Sequence, residues 1–569
     1  MTSADPPSDI PAIRVPVGDD ADRWTSRAAS RRVLLVVHNV TSAGRLLDVL
    51  PLFHDDFRVQ LLVTSTESSA FQGGVRELFA DLGLPVLPWA QALATPVDLA
   101  VSASFGGQLS GLHGKLTVLS HGVGYTKRLA QPGDIREPTF GLSPEWLLVD
   151  GQPFVDGLVL SHPEQLERLQ RVCPEAEAAS VLAGDPCFDR MLAARPHRER
   201  FRRALGVRRG QRLVVLNSTW NPEGFFGNGG DQDVLPGLLP RLAAELPADD
   251  YRLAAVLHPN IWYGHGPGQI RVWLDRALRS GLTLIDPVHA WRQALLAADA
   301  VVGDFGAVSY YAAALGTPVL LASATQQRLD PDAPLTAFVR DAPRLDPLGP
   351  LRDQVEELMA RHRPAAGPAS FTTSAPGASA ALLRRHFYAL MDLPEPPAPA
   401  LLEPLPLPPY GPARRTAPLN VRTRVSGPDV WIERTTGHPY DAVGDAHLAV
   451  HEDTRDPGDL TRADVILREG PPDDPRLGGA EGWTAEVLRR YPHCALAAYV
   501  TGPDTCTVRT RDHGVLHLSG TPNADADPAV YASSLYAWQA GGGALPVTLR
   551  VRVAGGVHEV RVVRGVRVS

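Results

Sequence analysis

Short apolar runs alternate with longer helical segments through the first two thirds of the chain. Strand-like runs lie at residues 32–38, 57–64, 97–102 and 116–120, and helical patterns follow the first two of them, around 46–52 and 75–82. Near-continuous apolar runs are typical of strands that are buried on both faces of a parallel sheet. The alternation therefore predicts a doubly wound α/β domain, which we place at residues 29–190.

The same alternation starts again near residue 212 and predicts a second α/β domain at residues 191–392. Its strands are expected at 212–220, 251–257, 282–285 and 298–304. Helices near 353–361 and 379–390 are expected to close this domain. The fold class is therefore predicted to be α/β, with two Rossmann-like domains that face each other across a cleft.

Composition separates three further segments from these two domains. Residues 1–28 are rich in Pro, Asp and Ser and are expected to be a disordered tail. About ten prolines lie between residues 394 and 418, which predicts a stiff Pro-rich linker at 393–418. Residues 419–569 carry short strand and helix patterns and end in a hairpin-like pattern, which predicts a small α+β accessory domain of unknown role.

Charge and cysteine content narrow the function classes. The chain has 55 basic and 63 acidic residues and a net charge of −8, so no nucleic-acid partner is implied and an anionic ligand must be held by a local site. The four cysteines form no Cys-x-x-Cys pair, which favours a reduced, cytoplasmic protein. No apolar run approaches the ~20 residues that span a bilayer. Peripheral contact with the inner face of the membrane stays open.

Residues 298–320 carry the strongest local signal. A buried strand ends at Gly303-Asp304, and a glycine-containing turn leads into a helix that stops at 316–318. Such a turn places free backbone N–H groups of a helix N-terminus at the end of a strand, which suits a phosphate. The candidate ligand-binding residues are Asp304, Gly306, Ala307 and Ser309. The alternative is an ordinary strand–turn–helix unit that binds nothing.

The remaining candidates also follow predicted strands. His121 and Gly122 come directly after the strand at 116–120, with the basic residues Lys127 and Arg128 close behind. Thr219 and His258 lie at strand ends in the second domain. Because open parallel sheets bind ligands at the carboxyl ends of their strands, these side chains are expected at the cleft.

Five motifs in this order resemble those of the CDP-glycerol glycerophosphotransferase family, the teichoic-acid-type polyol phosphate transferases. They are His121-Gly122 with Lys127-Arg128, Gly184-Asp185-Pro186 with Asp189, residues 217–220, Leu257-His258-Pro259, and residues 304–308. The resemblance covers about residues 30–390. It implies the GT-B fold and transfer of a polyol phosphate, of glycerol phosphate type, from a CDP-activated donor to a hydroxyl of a cell-surface polymer or related glycoconjugate.

The resemblance also suggests roles for the two histidines. His121 is the candidate general base, since imidazole titrates near neutrality and such a role is worth about 10²–10⁴ in rate. His258 is the candidate for stabilising the diphosphate leaving group. The structural alternatives are a hydrogen-bonded strand-end histidine for His121 and a cap on the following turn for His258.

The other candidates would bind substrate. Lys127 and Arg128 would meet phosphates, Thr219 would line the donor side, and Asp304 would orient a ribose hydroxyl or cap the next helix. No metal and no cofactor is predicted, because no carboxylate cluster has ligand spacing. The expected partners are a nucleotide-activated small-molecule donor and a polymer or glycolipid acceptor.

The turn departs from the family's pattern at two positions. Gly306 and Ala307 stand where the family has two serines, so backbone N–H groups and the Ser309 hydroxyl are left for a diphosphate. A Gly-Gly version of this turn is found in UDP-sugar 2-epimerases. The paired glutamates that follow the turn in those enzymes are replaced here by Tyr310-Tyr311. Three alternatives therefore stay open: a GT-B glycosyltransferase, a 2-epimerase-like enzyme, and a non-catalytic GT-B relic that acts as an interaction protein.

Overall fold

The structure is a computed structural model that describes residues 11–27, 30–129, 138–231, 233–437, 445–470 and 479–565. The predicted tail at 1–28 lies partly outside the described residues. Within it, residues 11–27 lie against the first domain, where the Ile13 N–H donates to Gln91 Oε1 at 2.8 Å. Val17 is buried in the same contact region.

A parallel sheet with helices on its faces forms the first domain. Its strands are β1 (Arg31–Val37), β2 (Val59–Ser65), β3 (Val86–Leu87), β4 (Leu99–Ser102), β5 (Lys115–Val118), β6 (Leu148–Val149), β7 (Gln152–Pro153), β8 (Gly157–Leu160) and β9 (Ser180–Leu182). Its helices are α1 (Val40–Val49), α2 (Val75–Leu82), α3 (Trp89–Ala94), α4 (Pro144–Leu147) and α5 (Pro163–Val172). Among the described residues the sheet order is β3-β2-β1-β4-β5-β8-β9, and β6 and β7 form a separate antiparallel pair.

The local sequence explains the first strand and helix. Residues 33–37 of β1 are apolar and buried, as expected for a strand covered on both faces. Helix α1 begins after Asn39, whose side chain accepts a hydrogen bond from the Ser42 N–H at 2.9 Å. The Ser42 hydroxyl accepts in turn from the Asn39 N–H at 3.2 Å, which completes a capping box.

The second domain repeats this plan. Its strands are β10 (Arg212–Ser218), β11 (Tyr251–Leu257), β12 (Thr283–Leu284), β13 (Ala300–Gly303) and β14 (Val319–Leu321). Its helices are α6 (Pro186–Ala194), α7 (Arg198–Ala204), α8 (Leu235–Glu245), α9 (Pro259–His265), α10 (Pro267–Trp273), α11 (Asp275–Arg279), α12 (Trp291–Ala297), α13 (Ala307–Ala314), α14 (Pro334–Asp341), α15 (Leu351–Arg361) and α16 (Ala366–Thr372). All neighbouring strands in the order β12-β11-β10-β13-β14 are parallel. The prediction of an α/β architecture with parallel sheets is confirmed.

The last helix before the linker, α17 (Ser379–Leu390), was expected to close the second domain and instead packs on the first. Its buried residues Leu383, Phe387 and Tyr388 join the first domain's core. The Phe387 ring stacks on Phe53, with the ring centroids 5.6 Å apart. The apolar face of α17 is therefore covered by the first domain, so the chain returns to the first domain after it has formed the second.

The Pro-rich segment begins on the first domain, where the Arg58 guanidinium donates to the Pro394 carbonyl at 3.0 Å, and then continues along the second domain. All of residues 393–418 are described, and none of them is in a helix or strand. The Gly411 N–H donates to the Ala204 carbonyl at 2.8 Å, and the Arg252 guanidinium donates to the Gly411 carbonyl at 2.9 Å. These bonds hold the later part of the linker on the second domain.

The C-terminal region differs from the prediction of a small α+β unit ending in a hairpin. Its strands are β15 (Leu419–Ser426), β16 (Asp429–Thr436), β17 (Asp445–His451), β18 (Val465–Glu469), β19 (Leu496–Gly502), β20 (Thr505–Thr510), β21 (Gly514–Ser519), β22 (Thr548–Val553) and β23 (Gly556–Arg564). Its helices are α18 (Pro457–Arg462), α19 (Ala480–Arg490) and α20 (Pro528–Ala540). In the described part of this region the strands close into one barrel, in the order β15-β16-β22-β23-β21-β20-β19-β18-β17. The predicted hairpin is present as β22 and β23.

Helix α20 fills the barrel. Its residues are buried on every side, and it packs against β15, β16 and all of β18 to β22. The barrel is fixed to the second domain through Arg434 of β16, whose guanidinium bonds Asp249 at 2.6 Å and Asp527 at 2.5 Å. Because Arg434 and Asp249 are buried, breaking this contact would leave an unpaired buried charge.

Candidate functional site

A cavity of about 460 Å³ lies between the two parallel sheets, at the carboxyl ends of strands from both. His38 follows β1, His121 lies just beyond β5, Thr219 follows β10, His258 follows β11 and Gly306 lies just beyond β13. In each sheet the strand order reverses beside the first strand, at β1/β4 and at β10/β13. Open α/β sheets bind ligands at such switch points, and here the two switch points face one cavity.

Most of the predicted site residues meet at this cavity. The residues that line it are His121, Gly122, Lys127, Arg128, Thr219, His258, Gly306 and Ala307. Asp304 and Ser309 are fully buried and do not line it. Eight of the ten residues predicted from the sequence therefore line the cavity, and the other two, Asp304 and Ser309, lie in the layer beneath its wall.

His121 has a defined tautomer. Its Nδ1 lies 2.8 Å from the Ala103 carbonyl oxygen, which can only accept, so Nδ1 carries the proton and Nε2 carries the lone pair. Burial, together with the nearby charges of Arg45 and Lys127, lowers the pKa of His121 to about 4. At neutral pH the ring is therefore uncharged and Nε2 can accept a proton.

His258, on the opposite wall, has the reverse tautomer. Its Nδ1 accepts the Asn260 N–H at 3.1 Å, so the neutral ring carries its proton on Nε2. This bond caps α9, which is the structural role named as the alternative for this residue. Burial lowers the pKa of His258 to about 3, with Lys127 and His121 acting in the same direction. The neutral ring can donate from Nε2 while its Nδ1 holds the helix.

Lys127 reaches across the cleft from the first domain. Its ammonium donates to Thr219 Oγ1 at 3.3 Å and to Asn221 Oδ1 at 3.1 Å. Burial lowers the pKa of Lys127 to about 8, against the opposing charge of Asp304. The adjacent Arg128 N–H donates to the Arg328 carbonyl at 2.9 Å, so this segment also joins the two domains through the backbone.

Asp304 organises the second domain's loops and has no contact with the cavity. Its carboxylate accepts the N–H groups of Thr219 at 2.8 Å, Phe225 at 2.9 Å and Gly306 at 3.0 Å. Burial raises the pKa of Asp304, whereas these bonds favour the charged form. The predicted ribose contact is therefore replaced by a structural role, in which one carboxylate ties the loop after β10 to the turn after β13.

Ser309 is also used inside the protein. Its hydroxyl donates to Asn217 Oδ1 at 3.1 Å, and the side chain is fully buried. Gly303 makes this bond possible, because a Cβ there would lie 2.4 Å from both Asn217 Nδ2 and Ser309 Oγ. The predicted contact of Ser309 with a ligand is not supported by this position.

The start of α13 offers backbone donors to the cavity. Within the described chain, the N–H groups of Ala307 and Val308 have no acceptor, and both residues line the cavity. A Cβ at Gly306 would lie 3.0 Å from Asp304 Oδ1 and 3.1 Å from Thr219 Cβ. A side chain at 306 would therefore require Asp304 and Thr219 to shift by a few tenths of an ångström. The turn can hold an oxyanion through N–H groups alone.

The charge of the cavity wall is of one sign. Among the described residues that line it there is no Asp and no Glu, while the basic residues are Arg45, Lys127, Arg128, Arg292 and Arg328. Some of these cations form ion pairs with residues outside the cavity wall; for example, Arg328 Nη2 lies 3.0 Å from Glu223 Oε1. A low-dielectric cavity with cationic walls and neutral imidazoles suits a ligand that carries several negative charges.

Sequence reasoning missed His38 and Arg45. His38 is 2% exposed, and its Nε2–H donates to the Gly106 carbonyl at 2.5 Å. Burial lowers the pKa of His38 to about 4. His38 ends the predicted strand at 32–38 and directly follows β1, so the strand-end argument that placed His121 at the cleft applies to it as well. Arg45 lies inside the amphipathic helix α1 and gave no such signal.

Arg45 belongs to a buried ionic cluster beneath the cavity. It lies 3.7 Å from Asp48 and 3.6 Å from Asp185, and Asp48 also pairs with Arg292 at 2.7 Å and with Arg190. The residues come from α1, from the segment that enters the second domain, and from α12. The cluster therefore fixes the two domains to each other at the base of the cavity.

Aromatic side chains close the mouth and one wall of the cavity. Trp220 of the second domain meets Phe71 of the first, edge to face, with ring centroids 5.3 Å apart. Phe140 lies edge-on to His121 at 5.9 Å and to Trp146 at 4.6 Å. An aromatic wall beside His121 reduces the water around the ring, consistent with its lowered pKa.

The described residues contain no group of three or more His, Cys, Asp or Glu side chains that is placed to hold a metal ion. No helix in the ranges covered by the structure is both long and apolar enough to cross a bilayer.

No protein-family model matches the sequence, and no curated protein matches it in sequence. Solved structures of similar shape include the wall teichoic acid polymerase TagF soaked with CDPG, with 12% identity and a TM-score of 0.44 over 64% of this chain and 88% of that one. The UDP-GlcNAc 2-epimerase of Methanocaldococcus jannaschii has 12% identity and a TM-score of 0.41 over 63% and 99%. A glycosyltransferase of Rickettsia africae has 11% identity and a TM-score of 0.36 over 64% and 99%. Likenesses this distant do not identify the reaction.

Proposed function

We propose that this chain is a transferase of the GT-B type. It binds a nucleotide-activated donor in the cavity between its two α/β domains and transfers a group to a hydroxyl acceptor. We favour a CDP-activated polyol phosphate of glycerol phosphate type as the donor, because the five sequence motifs of that family occur in order. The acceptor would be a hydroxyl of a cell-surface polymer or glycoconjugate, used in the cytoplasm or at the inner face of the membrane.

The observation that supports this proposal is the pair of opposed imidazoles. His121 presents an unprotonated Nε2 from the first domain, and His258 presents a protonated Nε2 from the second. Both line one cavity, whose described walls carry cations and no carboxylate. A proton acceptor and a proton donor on opposite walls of an anion-binding cavity are what transfer from a diphosphate to a hydroxyl needs.

On the donor side, the diphosphate would lie at the start of α13. The free N–H groups of Ala307 and Val308 would donate to it, and the Lys127 ammonium would neutralise part of its charge. Lys127 is already held at the second domain by Thr219 and Asn221. Its position therefore does not need to be organised when the donor binds, which favours electrostatic stabilisation of the transition state.

On the acceptor side, His121 Nε2 would accept the proton of the attacking hydroxyl. The hydroxyl oxygen then forms a bond to the donor's terminal phosphorus, and the bond from that phosphorus to the bridging oxygen breaks. The nucleoside monophosphate leaves with the bonding electrons, and His258 Nε2–H donates a hydrogen bond to the departing oxygen. Because Ala103 holds Nδ1–H, the His121 ring cannot turn without losing that bond.

The epimerase alternative finds little support at this site. Tyr310 and Tyr311 replace the paired glutamates of that family, and both are buried. Tyr311 is engaged with Asp185 at 2.5 Å and with the Gly122 carbonyl at 2.8 Å. No carboxylate lines the described walls, so the cavity has no counterpart of the paired glutamates.

A thermal-shift screen of CDP-, UDP- and GDP-conjugates tests the proposal. A donor that binds only the folded protein raises its midpoint in proportion to the logarithm of its concentration. We expect CDP-glycerol to give the largest shift, and Lys127→Met to reduce it. Positive conjugates would then be incubated with hydroxyl acceptors, and release of the nucleoside monophosphate would be measured. If no conjugate shifts the midpoint, the chain is a non-catalytic relic and the proposal is wrong.

A further inference from the structure

One tyrosine of the second domain reaches the turn that carries His121. Tyr311 lies on α13, and its phenol oxygen is 2.8 Å from the Gly122 carbonyl oxygen and 2.5 Å from Asp185 Oδ2. The residue is 1% exposed, and burial raises the pKa of Tyr311 well above its usual value. The phenol therefore keeps its proton at neutral pH and is a hydrogen-bond donor beside the candidate general base.

Arg45 of the first domain completes this contact. Its Nη2 group donates to the Tyr311 phenol oxygen at 2.8 Å and to the Gly122 carbonyl oxygen at 3.3 Å. A phenol has one proton, and here two acceptors lie within its reach. When that proton goes to Asp185, the Gly122 carbonyl still has the donor of Arg45. The carbonyl is therefore held in either arrangement.

Helix α13 also contacts this turn by direct packing. Gly122 has a φ of +98°, in the region that favours glycine, and a Cβ there would lie 3.5 Å from Ala307 Cβ. Ala307 and Tyr311 are four residues apart on α13 and therefore lie on one face of the helix. The turn that follows β5 is thus in contact with this face at two points, one helical turn apart.

The His121 turn is therefore held by both domains. On the first domain, the Ala103 carbonyl accepts the His121 Nδ1–H at 2.8 Å and fixes the ring. On the second domain, Tyr311 and the start of α13 hold the next residue of the turn. The N–H groups of Ala307 and Val308, at the start of this same helix, are the donors that we assign to the diphosphate. One helix would thus hold the donor and the base in a fixed relation.

We propose that Tyr311 is a positioning residue, which fixes the His121 turn relative to the diphosphate of the donor. This inference rests on the proposed function, in which His121 is the general base and the start of α13 binds the diphosphate. A rigid helix between the two keeps the base at a constant distance from the donor's terminal phosphorus. Such precision matters, because a misplacement of about 1 Å can lower a rate by about 10².

The ring of Tyr311 also belongs to the core, so the test must separate the ring from the hydroxyl. The ring stacks on Phe188, with the ring centroids 6.1 Å apart, and its centroid lies 5.9 Å from that of Trp291. Tyr311→Phe keeps this packing and removes only the hydroxyl. Tyr310→Phe is the matched control, because Tyr310 is the adjacent buried residue of α13, packs edge to face on Phe338 at 5.5 Å and does not line the cavity.

NMR spectra of the protein with ¹³C-labelled histidine rings report the environment of His121 without turnover. The His121 signal is the one that disappears in His121→Ala. We expect Tyr311→Phe to shift this signal, because the turn loses a donor, and to leave the signal of the exposed His113 in place. Tyr310→Phe should shift neither signal. Arg45→Lys, which replaces a fork of donors by one ammonium, is the second variant and should also shift the His121 signal.

Turnover is then measured with a donor and an acceptor identified as described above. Tyr311→Phe should lower kcat about tenfold or more and change the KM for the donor less than about twofold, because the base is displaced and the donor site is not. Thermal melting checks that each variant is folded.

Two results would overturn the positioning role: a His121 signal that stays in place in both Tyr311→Phe and Arg45→Lys, or an unchanged kcat in Tyr311→Phe. The second result would leave the transferase proposal intact. If the signal shifts but wild type turns over no conjugate, the transferase proposal fails, whereas the placement of the turn by Tyr311 is supported.

Discussion

The two walls of the cavity are built from the same strand–turn–helix unit, but they use it differently. At the start of α13, the side chains of Asp304 and Ser309 form hydrogen bonds within the protein. The backbone N–H groups of the helix start are left to face the cavity. At the start of α1, the capping box satisfies itself, and the Arg45 guanidinium lies 3.7 Å from Asp48 and 3.6 Å from Asp185 in the buried ionic cluster. The first wall therefore presents main-chain donors to the cavity, whereas the second wall uses its charged side chain to join the two domains.

The turn at α13 carries Gly306 and Ala307 where the family that the sequence resembles has two serines. A Cβ at Gly306 would lie 3.0 Å from Asp304 Oδ1 and 3.1 Å from Thr219 Cβ, so a side chain there requires these neighbours to shift by a few tenths of an ångström. A wall stabilised from behind by a buried carboxylate needs no hydroxyl in front, because the helix N-terminus already supplies donors and a favourable dipole. The loss of the serines is therefore compatible with retained binding of a diphosphate.

The largest expected effect is at the acceptor wall. His121→Ala should lower turnover by at least about 10² and leave nucleotide affinity nearly unchanged, because the base acts in the transition state and not on the donor. Turnover and nucleotide binding would be measured on the same preparation. His113→Ala, an exposed histidine in the same domain, is the control and should behave as wild type. If His121→Ala turns over as fast as wild type, His121 is not the general base.

The next effect concerns the rigidity of the donor wall. Asp304→Asn should lower the free energy of unfolding by about 2–3 kcal/mol, because an amide nitrogen would face backbone N–H groups that now donate to the carboxylate. Denaturant unfolding followed by fluorescence measures the change. Asp341→Asn, at an exposed helix end, should cost less than about 0.5 kcal/mol. Equal stability of the two variants would mean that Asp304 does not organise the wall.

A smaller effect is expected from crowding the turn itself. Gly306→Val should weaken nucleotide binding about tenfold or more, since its side chain would push against Thr219 and shift the N–H groups of α13. Calorimetry with a nucleoside diphosphate gives the affinity. Gly237→Val is the matched control, because a Cβ at this exposed position on α8 meets nothing within 4 Å. Unchanged affinity in Gly306→Val would place the phosphate elsewhere.

The smallest expected effect is a pH dependence of nucleotide affinity, which we attribute to Lys127. The pKa of Lys127 is lowered to about 8 by burial, so its charge is present at pH 7 and is lost as pH rises through about 8. Nucleotide affinity should therefore be constant near pH 7 and fall several-fold by about pH 9. Lys127→Arg keeps its charge over this range and should abolish the fall. A wild-type affinity that stays flat to pH 9 would exclude a contact between Lys127 and the diphosphate.

Much of this arrangement was predictable from periodicity. Strands such as β1 are apolar runs bounded by polar residues. The residues that directly follow such strands lie close together, because parallel strands end at one edge of the sheet. His121, Thr219 and His258 could therefore be placed at one cavity from sequence alone. The same argument also places His38, which directly follows β1, at this edge of the sheet.

What could not be predicted depends on contacts between distant segments. The barrel closes only when β15 pairs with β17 and β16 pairs with β22, more than 100 residues later in the chain. Helix α20 has no amphipathic pattern because strands surround it on every side. Asp304 and Ser309 were read as ligand-binding residues because sequence shows the residue type at a strand end and not the direction of its side chain. The Arg45 cluster joins α1 to α12, about 250 residues apart, and leaves no local signal.

The most direct test of the account is a crystal structure of the protein with a bound nucleoside diphosphate. We predict that the diphosphate lies in the cavity, accepts hydrogen bonds from the N–H groups of Ala307 and Val308, and lies beside Lys127 and His258. A nucleotide bound outside this cavity, or a cavity still empty at saturating nucleotide, would contradict the account.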